Sequence, residues 1–359
     1  MFNLPIAAVQ PACADGVQVA SPKTVYRFSL DRFTSLFAAV SFLVIFASAH
    51  AGAASVTVTA KKIETFRKDS EETRFGALAY VGGFSFSAFG SGVAGLSGLV
   101  LDTDGVGFTA ISDIGTWVTG RISRDAAGGP TGLEDVAVEP LTGTDGAPLD
   151  GKLESDAEGL ARRSSDLLVS FERRPRILSY PITDSGFGEP EEVPQPIPLA
   201  ELRANEGLEA LAVAPEGSSL AGALITIAEG SIDTDGNLFA AIVAGADRGI
   251  FKIRKDERWD VTDADFLPGG DLVVLERRYD GFTGGLGARL RLMDGGDVAP
   301  GALVDGEVIF EADLSEEIDN MEGLAIWRDE VGQTRLTLIS DDNNSFLQRN
   351  LLLEFRLID

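Results

Sequence analysis

The sequence predicts an all-β protein, a single β-propeller of five four-stranded blades, with six blades as the alternative. Three observations carry that expectation. A short phrase recurs at a period of roughly 56 residues, in the range of propeller blades; a second phrase ending in an acid follows each copy; and 41 Gly against 15 Pro points to many turns.

The first phrase appears as Ser97-Gly98-Leu99-Val100-Leu101, Glu158-Gly159-Leu160-Ala161, Glu209-Ala210-Leu211-Ala212-Val213 and Glu322-Gly323-Leu324-Ala325-Ile326. A degenerate copy, Asp263-Ala264-Asp265-Phe266-Leu267, fits between the last two, its register open by a residue or two. The second phrase is an apolar run closed by an acid. Its copies end at Asp113, Glu172, Glu229, Glu276 and Asp341. Gly/Asp turns such as Asp102-Thr103-Asp104-Gly105 and Pro268-Gly269-Gly270-Asp271 separate the two phrases, the pattern of a hairpin. Further strand-like runs complete each unit, for example Asn237 to Val243 and Ile250 to Arg254, and four strands per unit of this length define a propeller blade. Five units account for residues 84 to 359. The N-terminal pieces Ser55 to Thr59 and Phe75 to Phe86 are then free to complete the last blade and close the ring. A β-sandwich or solenoid also uses short strands, but neither predicts an acid at both marked positions in nearly every unit.

Neighbouring antiparallel strands place the start of the first and the end of the second at one end of the sheet. The marked acids should therefore meet around one mouth of the central channel. The upper set is Glu158, Glu209, Glu322 and one of Asp263 or Asp265, with Ser97 in the first blade. The lower set is Asp113, Glu172, Glu229, Glu276 and Asp341. So many carboxylates cannot all ionise together without compensation. Calcium, with six to eight oxygen ligands, is one remedy. Arginine is the other, and Arg173-Arg174 and Arg277-Arg278 directly follow two of the acids. On a strand adjacent side chains face opposite ways, so one Arg of each pair can reach the mouth. The competing expectation is a closed salt-bridge ring that only ties the blades together.

Composition narrows the chemistry. Lys and Arg number 30 against 56 Asp and Glu, a net charge of −26, which argues against nucleic acid and anionic membrane surfaces as partners. The chain has one Cys and one His, Cys13 and His50. Residues Leu36 to Ala49 form an uncharged apolar run behind Lys23, Arg27 and Arg32, with small residues following, the parts of a secretory signal peptide. Residues 1–51 are expected to be that signal and 52–359 the propeller. Cleavage would remove three basic and two acidic residues, leaving 27 against 54, and no Cys or His. Disulfides, Ser-His and Cys-His nucleophile systems and His/Cys zinc sites are then excluded. Trp117, Trp259 and Trp327 are expected to pack between blades. Ser231 to Gly236 is expected to be a solvated turn and Glu189 to Val193 a loop or edge strand, while Asp341-Asp342-Asn343-Asn344 is a dense oxygen cluster beside a marked acid.

Gly95 to Leu99, Asp156 to Ala161, Asn205 to Leu211, Asp263 to Arg278 and Met321 to Asn343 together resemble the phytase-like domain family, also described as "esterase-like activity of phytase". The resemblance runs in order across about Gly82 to Leu357. It implies a propeller-type fold in an exported bacterial protein and hydrolysis of phosphomonoesters or other esters. No family catalytic residue is carried over.

The expected site follows from the residues themselves. Glu172, Glu276 and Glu229 are the candidate catalytic acids, and Arg173 and Arg277 the candidate anchors for an anionic substrate group. Glu158, Glu209, Glu322, Asp113 and Asp341 are the candidate ligands of calcium. The expected protein is a periplasmic or secreted monomer acting on a small anionic or ester substrate, without nucleic acid and without a stable membrane span once the signal is removed. A non-catalytic binding module and a calcium-dependent lactonase-like propeller are the alternatives.

Overall fold

Five sheets, antiparallel but for the short parallel pairing of Leu303–Val304 with Gly249–Ile253, follow one another along the chain as the blades of a propeller in a computed structural model describing residues 53–88, 93–281, 285–343, 345 and 347–358. The expected signal segment lies outside these residues. The innermost strands are Leu96–Leu101, Ala157–Arg163, Leu208–Val213, Asp260–Phe266 and Asn320–Arg328. Their second strands are Gly107–Ser112, Asp166–Phe171, Leu224–Ile232, Leu272–Tyr279 and Thr334–Asp341.

The apolar runs along these strands are nearly continuous because both faces of each blade are covered. Alternate side chains enter different cores. Leu272 and Val274 pack with blade 3, whereas Val273 and Leu275 pack with blade 5. Five buried clusters result, one at each junction between neighbouring blades. Trp117 and Trp259 are buried as expected, Trp117 stacked on Phe187 with a 4.2 Å centroid separation. Trp327 is partly buried beneath the Arg124 guanidinium.

The ring closes by joining the two ends of the chain. Blade 5 takes three strands from the C-terminal segment, and its fourth is Leu78–Ser87, antiparallel to Asn350–Leu357. That strand is the expected Phe75 to Phe86 piece. The other N-terminal piece divides. Thr59–Ile63 is the outer strand of blade 5, but Ala54–Ser55 pairs with Val138 and Ala137 at the edge of blade 1. The segment before residue 64 thus reaches both blades that meet at the closure.

Each innermost strand carries an irregularity at the same place. The register shifts at Ser97, Glu158, Glu209, Thr262 and Glu322, so that one extra residue stands opposite the second strand. A bulge of this kind re-aims a side chain, here toward the channel mouth. The glycine that follows has a separate cause. A Cβ at Gly159 would stand 2.4 Å from the Glu209 carbonyl oxygen, and one at Gly323 2.6 Å from that of Ser97. The repeated Glu-Gly-Leu is therefore a mouth residue, a close approach to the next blade, and a core residue.

Candidate functional site

The bulged first-strand residues and the residues closing the second strands meet in a cavity of about 260 Å³ at one end of the channel. It is lined by Ser97, Asp113, Glu158, Glu172, Glu209, Glu229, Glu322 and Asp341, as the two repeated phrases require, and by Arg173 and Arg277. Backbone bonds hold the second-strand acids in place. The amide of Asp113 donates to Gly95 O at 2.8 Å, that of Glu172 to Asp156 O at 3.0 Å, and that of Glu229 to Gly207 O at 3.0 Å.

Blade 4 differs from the expectation, and the register shows why. Val261 pairs with Glu276 and Asp263 with Leu275, so the bulged residue is Thr262 and the residue facing the mouth is Arg277. Both acids assigned to this blade are displaced by one residue, which on a strand turns a side chain to the opposite face. Glu276 is consequently not a mouth acid. It is 1% exposed and accepts from Arg291 Nη2 at 2.6 Å and from Arg289 Nε, inside its own blade. Asp263 and Asp265 are not mouth acids either. They accept from the backbone amides of Leu324 and Ile326, each at 2.7 Å, and so clamp blade 4 to blade 5.

Arg277 therefore occupies the position of an acid. Its Nη2 donates to Glu229 Oε1 at 2.8 Å, and its Nη1 to Asn320 Oδ1 at 2.8 Å and to Glu322 Oε1. Across the cavity, Lys152 reaches Asp113 Oδ2 at 2.6 Å, and Arg173 Nε donates to Asp156 Oδ2 at 2.8 Å. Asp156, Lys152, Asn205 and Asn343 are mouth residues that the repeat phrases do not mark. Asp156 precedes Glu158 by two residues as Asn320 precedes Glu322, a polar signal in blades 2 and 5 that blade 3 lacks, since Gly207 holds that place before Glu209. Lys152 and Asn205 come from connections between blades and leave no periodic trace.

The charges do not balance. Eight carboxylates, Asp156 included, share the cavity with three cations, leaving an excess of five. Asp156, Glu158 and Glu172 can bring one oxygen each to within 4.8 Å of one another, and so can Glu172, Glu209 and Glu229. Burial raises the Glu158 and Glu209 carboxyls well above the usual range, and the neighbouring acids raise them further. Glu172 is pushed up to about 8 by burial and then by Asp156 and Glu229. Burial lifts Glu322 to about 7 against the pull of Arg277, and Asp341 to about 6. The bare site thus holds protons near neutrality.

The donor set fits a hard cation. Carboxylate and amide oxygens line the mouth, and His and Cys occur in the chain only at positions 13 and 50. Oxygen-only sites rich in carboxylates suit calcium, while the transition metals are drawn to nitrogen and sulfur. Glu172 belongs to both acid triads and is the shared ligand they offer.

Fold and site define a five-bladed propeller with an acid-lined channel mouth. The phytase-like family, described as "Esterase-like activity of phytase", matches residues 91–344, and the chain belongs to it. No curated protein sequence matches significantly. Solved structures with a similar course include the PQQ-bound form of aldose sugar dehydrogenase from Streptomyces coelicolor, at 12% identity over 84% of this chain and 98% of that one, TM-score 0.41. Endo-arabinase from Bacteroides thetaiotaomicron is 13% identical over 72% and 93%, TM-score 0.43. Glutaminyl cyclase from Myxococcus xanthus is 15% identical over 75% and 94%, TM-score 0.39. At such scores these likenesses carry no functional weight. Among the described residues no helix is long and apolar enough to cross a membrane.

Proposed function

We propose that the protein is an exported hydrolase of phosphate or other esters that works at the acid mouth with a calcium ion. The observation that carries this reading is the excess of five carboxylates in one cavity, two triads of which share Glu172. A fold spends stability to hold like charges together, and such sites are where perturbed carboxyls serve chemistry. Glu158, Glu172, Glu209 and Glu229 would hold the ion, with Asp156 in reach of Glu158. Bound there, calcium supplies charge neutralisation and polarisation of an ester oxygen.

The chain's own groups supply the rest. Arg277 makes three of the five hydrogen bonds a guanidinium can donate and faces the cavity, so it can take an anionic oxygen without leaving Glu229. Lys152 and Arg173 neutralise Asp113 and Asp156 on the opposite wall, which keeps that wall from repelling an anion. Glu172, shared by both acid triads and raised by burial in the bare site, would give up its proton as the ion binds and so fix the ion's position beside the substrate. Export rests on the apolar run at Leu36 to Ala49 with its basic flank and small-residue site.

A non-catalytic propeller is the competing reading, favoured by the engagement of Lys152, Arg173 and Arg277 with mouth acids. Assay of phosphate and acyl esters by the purified chain, with calcium and with chelator, separates the two. Hydrolysis that needs calcium and falls about 10²-fold or more in Glu172→Gln supports the hydrolase. No turnover of any ester with calcium present supports the binding module.

A further inference from the structure

We propose that the cavity between blades 4 and 5 is a second subsite, which takes the apolar, aromatic-sized part of an anionic ester whose charged group lies in the acid mouth. The inference rests on the reading of the mouth as an ester site and adds to it the class of substrate.

The cavity measures about 800 Å³, the size of pockets that take small organic molecules. Arg277 and Asn343 line both it and the mouth, so the two spaces adjoin across those two side chains. A molecule spanning them would place its charged end beside the Arg277 guanidinium and its other end in the larger space.

The walls of that space are unlike those of the mouth. Tyr279, Leu314 and Leu347 are 68%, 50% and 67% exposed, and all three face this cavity together with Leu286. Single exposed apolar side chains are ordinary, but several converging on one concavity beside a charged site mark a place where a ligand's apolar surface is covered. The acids of this cavity are already occupied. Asp260 accepts from Lys255 Nζ at 2.6 Å, and Asp319 accepts from the amide of Arg349 at 3.1 Å. Neither needs a cation from outside.

Charge also decides what does not fit. Arg277 is the one cationic side chain among the described lining residues of this cavity. A substrate carrying several phosphates would bring a second anionic group into a space whose other charged groups are two aspartates. An ester with one anionic group and an apolar remainder satisfies both halves, with Arg277 and the mouth's cation at one end and Tyr279, Leu314 and Leu347 at the other.

The test uses phosphonates, whose C–P bond is not hydrolysed, so binding is read apart from turnover. Affinities of methylphosphonate and 1-naphthylmethylphosphonate for the calcium-loaded full chain are measured by calorimetry. The naphthyl compound is expected to bind about tenfold more tightly, a modest return for covering one aromatic group. In Tyr279→Ser/Leu347→Ser, two exposed positions whose change leaves the core intact, that preference should fall below about threefold, with methylphosphonate unaffected. Equal affinities in the unaltered protein, or a preference that survives the double substitution, would overturn the subsite while leaving the mouth as an anion site. Binding of neither phosphonate would overturn the ester reading of the mouth and the subsite with it.

Discussion

Arg277 Nη2 donates to Glu229 Oε1 at 2.8 Å although the two residues hold the same position in neighbouring blades. Blade 4 thus supplies a cation where the other four supply Asp113, Glu172, Glu229 and Asp341. The ring of acids is interrupted once, and the interruption neutralises part of it. Arg277 also reaches Glu322 of blade 5, so a single side chain links three blades at the mouth.

Removing that cation should expose the cost of the acids. Arg277→Met is expected to destabilise the calcium-free protein by about 3 kcal/mol, the lower end for breaking a buried ion pair, since the guanidinium side chain is itself 27% exposed. Urea unfolding in the presence of chelator measures it. Calcium should recover part of the loss by taking over the neutralising role. A change under about 0.5 kcal/mol, the range of a surface pair, would mean that Glu229 and Glu322 do not depend on Arg277.

The protonated acids make a signed prediction about pH. A carboxyl whose folded-state pKa is raised binds its proton more tightly in the folded chain, so stability falls as pH rises from the unfolded value toward the folded one. With Glu172 at about 8, Glu322 at about 7 and Asp341 at about 6, the melting temperature in chelator should decline between about pH 5 and pH 8. Calcium should flatten that decline, because it replaces the protons. A chelated protein equally stable at pH 5 and pH 8 would show that these acids are compensated without a cation.

Two glutamates should behave in opposite ways. Glu276 bridges Arg289 and Arg291 away from the mouth, so Glu276→Gln should cost about 3 kcal/mol of stability and leave calcium affinity unchanged. Glu209 stands among acids, so Glu209→Gln should leave the calcium-free melting temperature equal or higher and reduce the gain from calcium. Paired thermal melts with and without calcium decide this. A loss of calcium response in Glu276→Gln alone would restore that residue to the site.

Most of this geometry was legible in the sequence because the repeat encodes it. The glutamates of Glu158-Gly159-Leu160 and Glu322-Gly323-Leu324 sit at bulges that aim them inward, and their glycines admit the next blade. In blade 4 the register that the sequence leaves open resolves at Thr262, while Asp263 imitates the acid of the phrase one residue away. Nothing local distinguishes the two; what decides is the pairing with Leu272–Tyr279, a long-range contact. Lys152 and Asn205 leave no trace for another reason. They belong to the connections leading into blades 2 and 3, where no period constrains the chain. The division of the N-terminal strands between blades 5 and 1 is likewise a tertiary choice that strand propensity does not show.

Export has its own test. The chain recovered from the cell envelope should begin near Gly52 or Ala54, after the small residues that follow Leu36 to Ala49. Cleavage at Gly52 would spare Ala54–Ser55, which pairs with blade 1. N-terminal sequencing reads this directly, and a soluble cytoplasmic pool retaining residues 1 to 40 would contradict it.

Whether the acid mouth is a cation site is tested most directly by calorimetric titration of calcium into the metal-free chain at pH 7, repeated in two buffers of different protonation enthalpy. The expected result is one saturable event with a dissociation constant between about 10⁻⁶ and 10⁻³ M. Release of protons from the raised carboxyls should accompany it, and both should diminish in Glu172→Gln/Glu209→Gln. No saturable heat up to about 10 mM calcium, well beyond the weakest ordinary calcium modules, would show that Lys152, Arg173, Arg277 and bound protons are all the compensation the mouth requires.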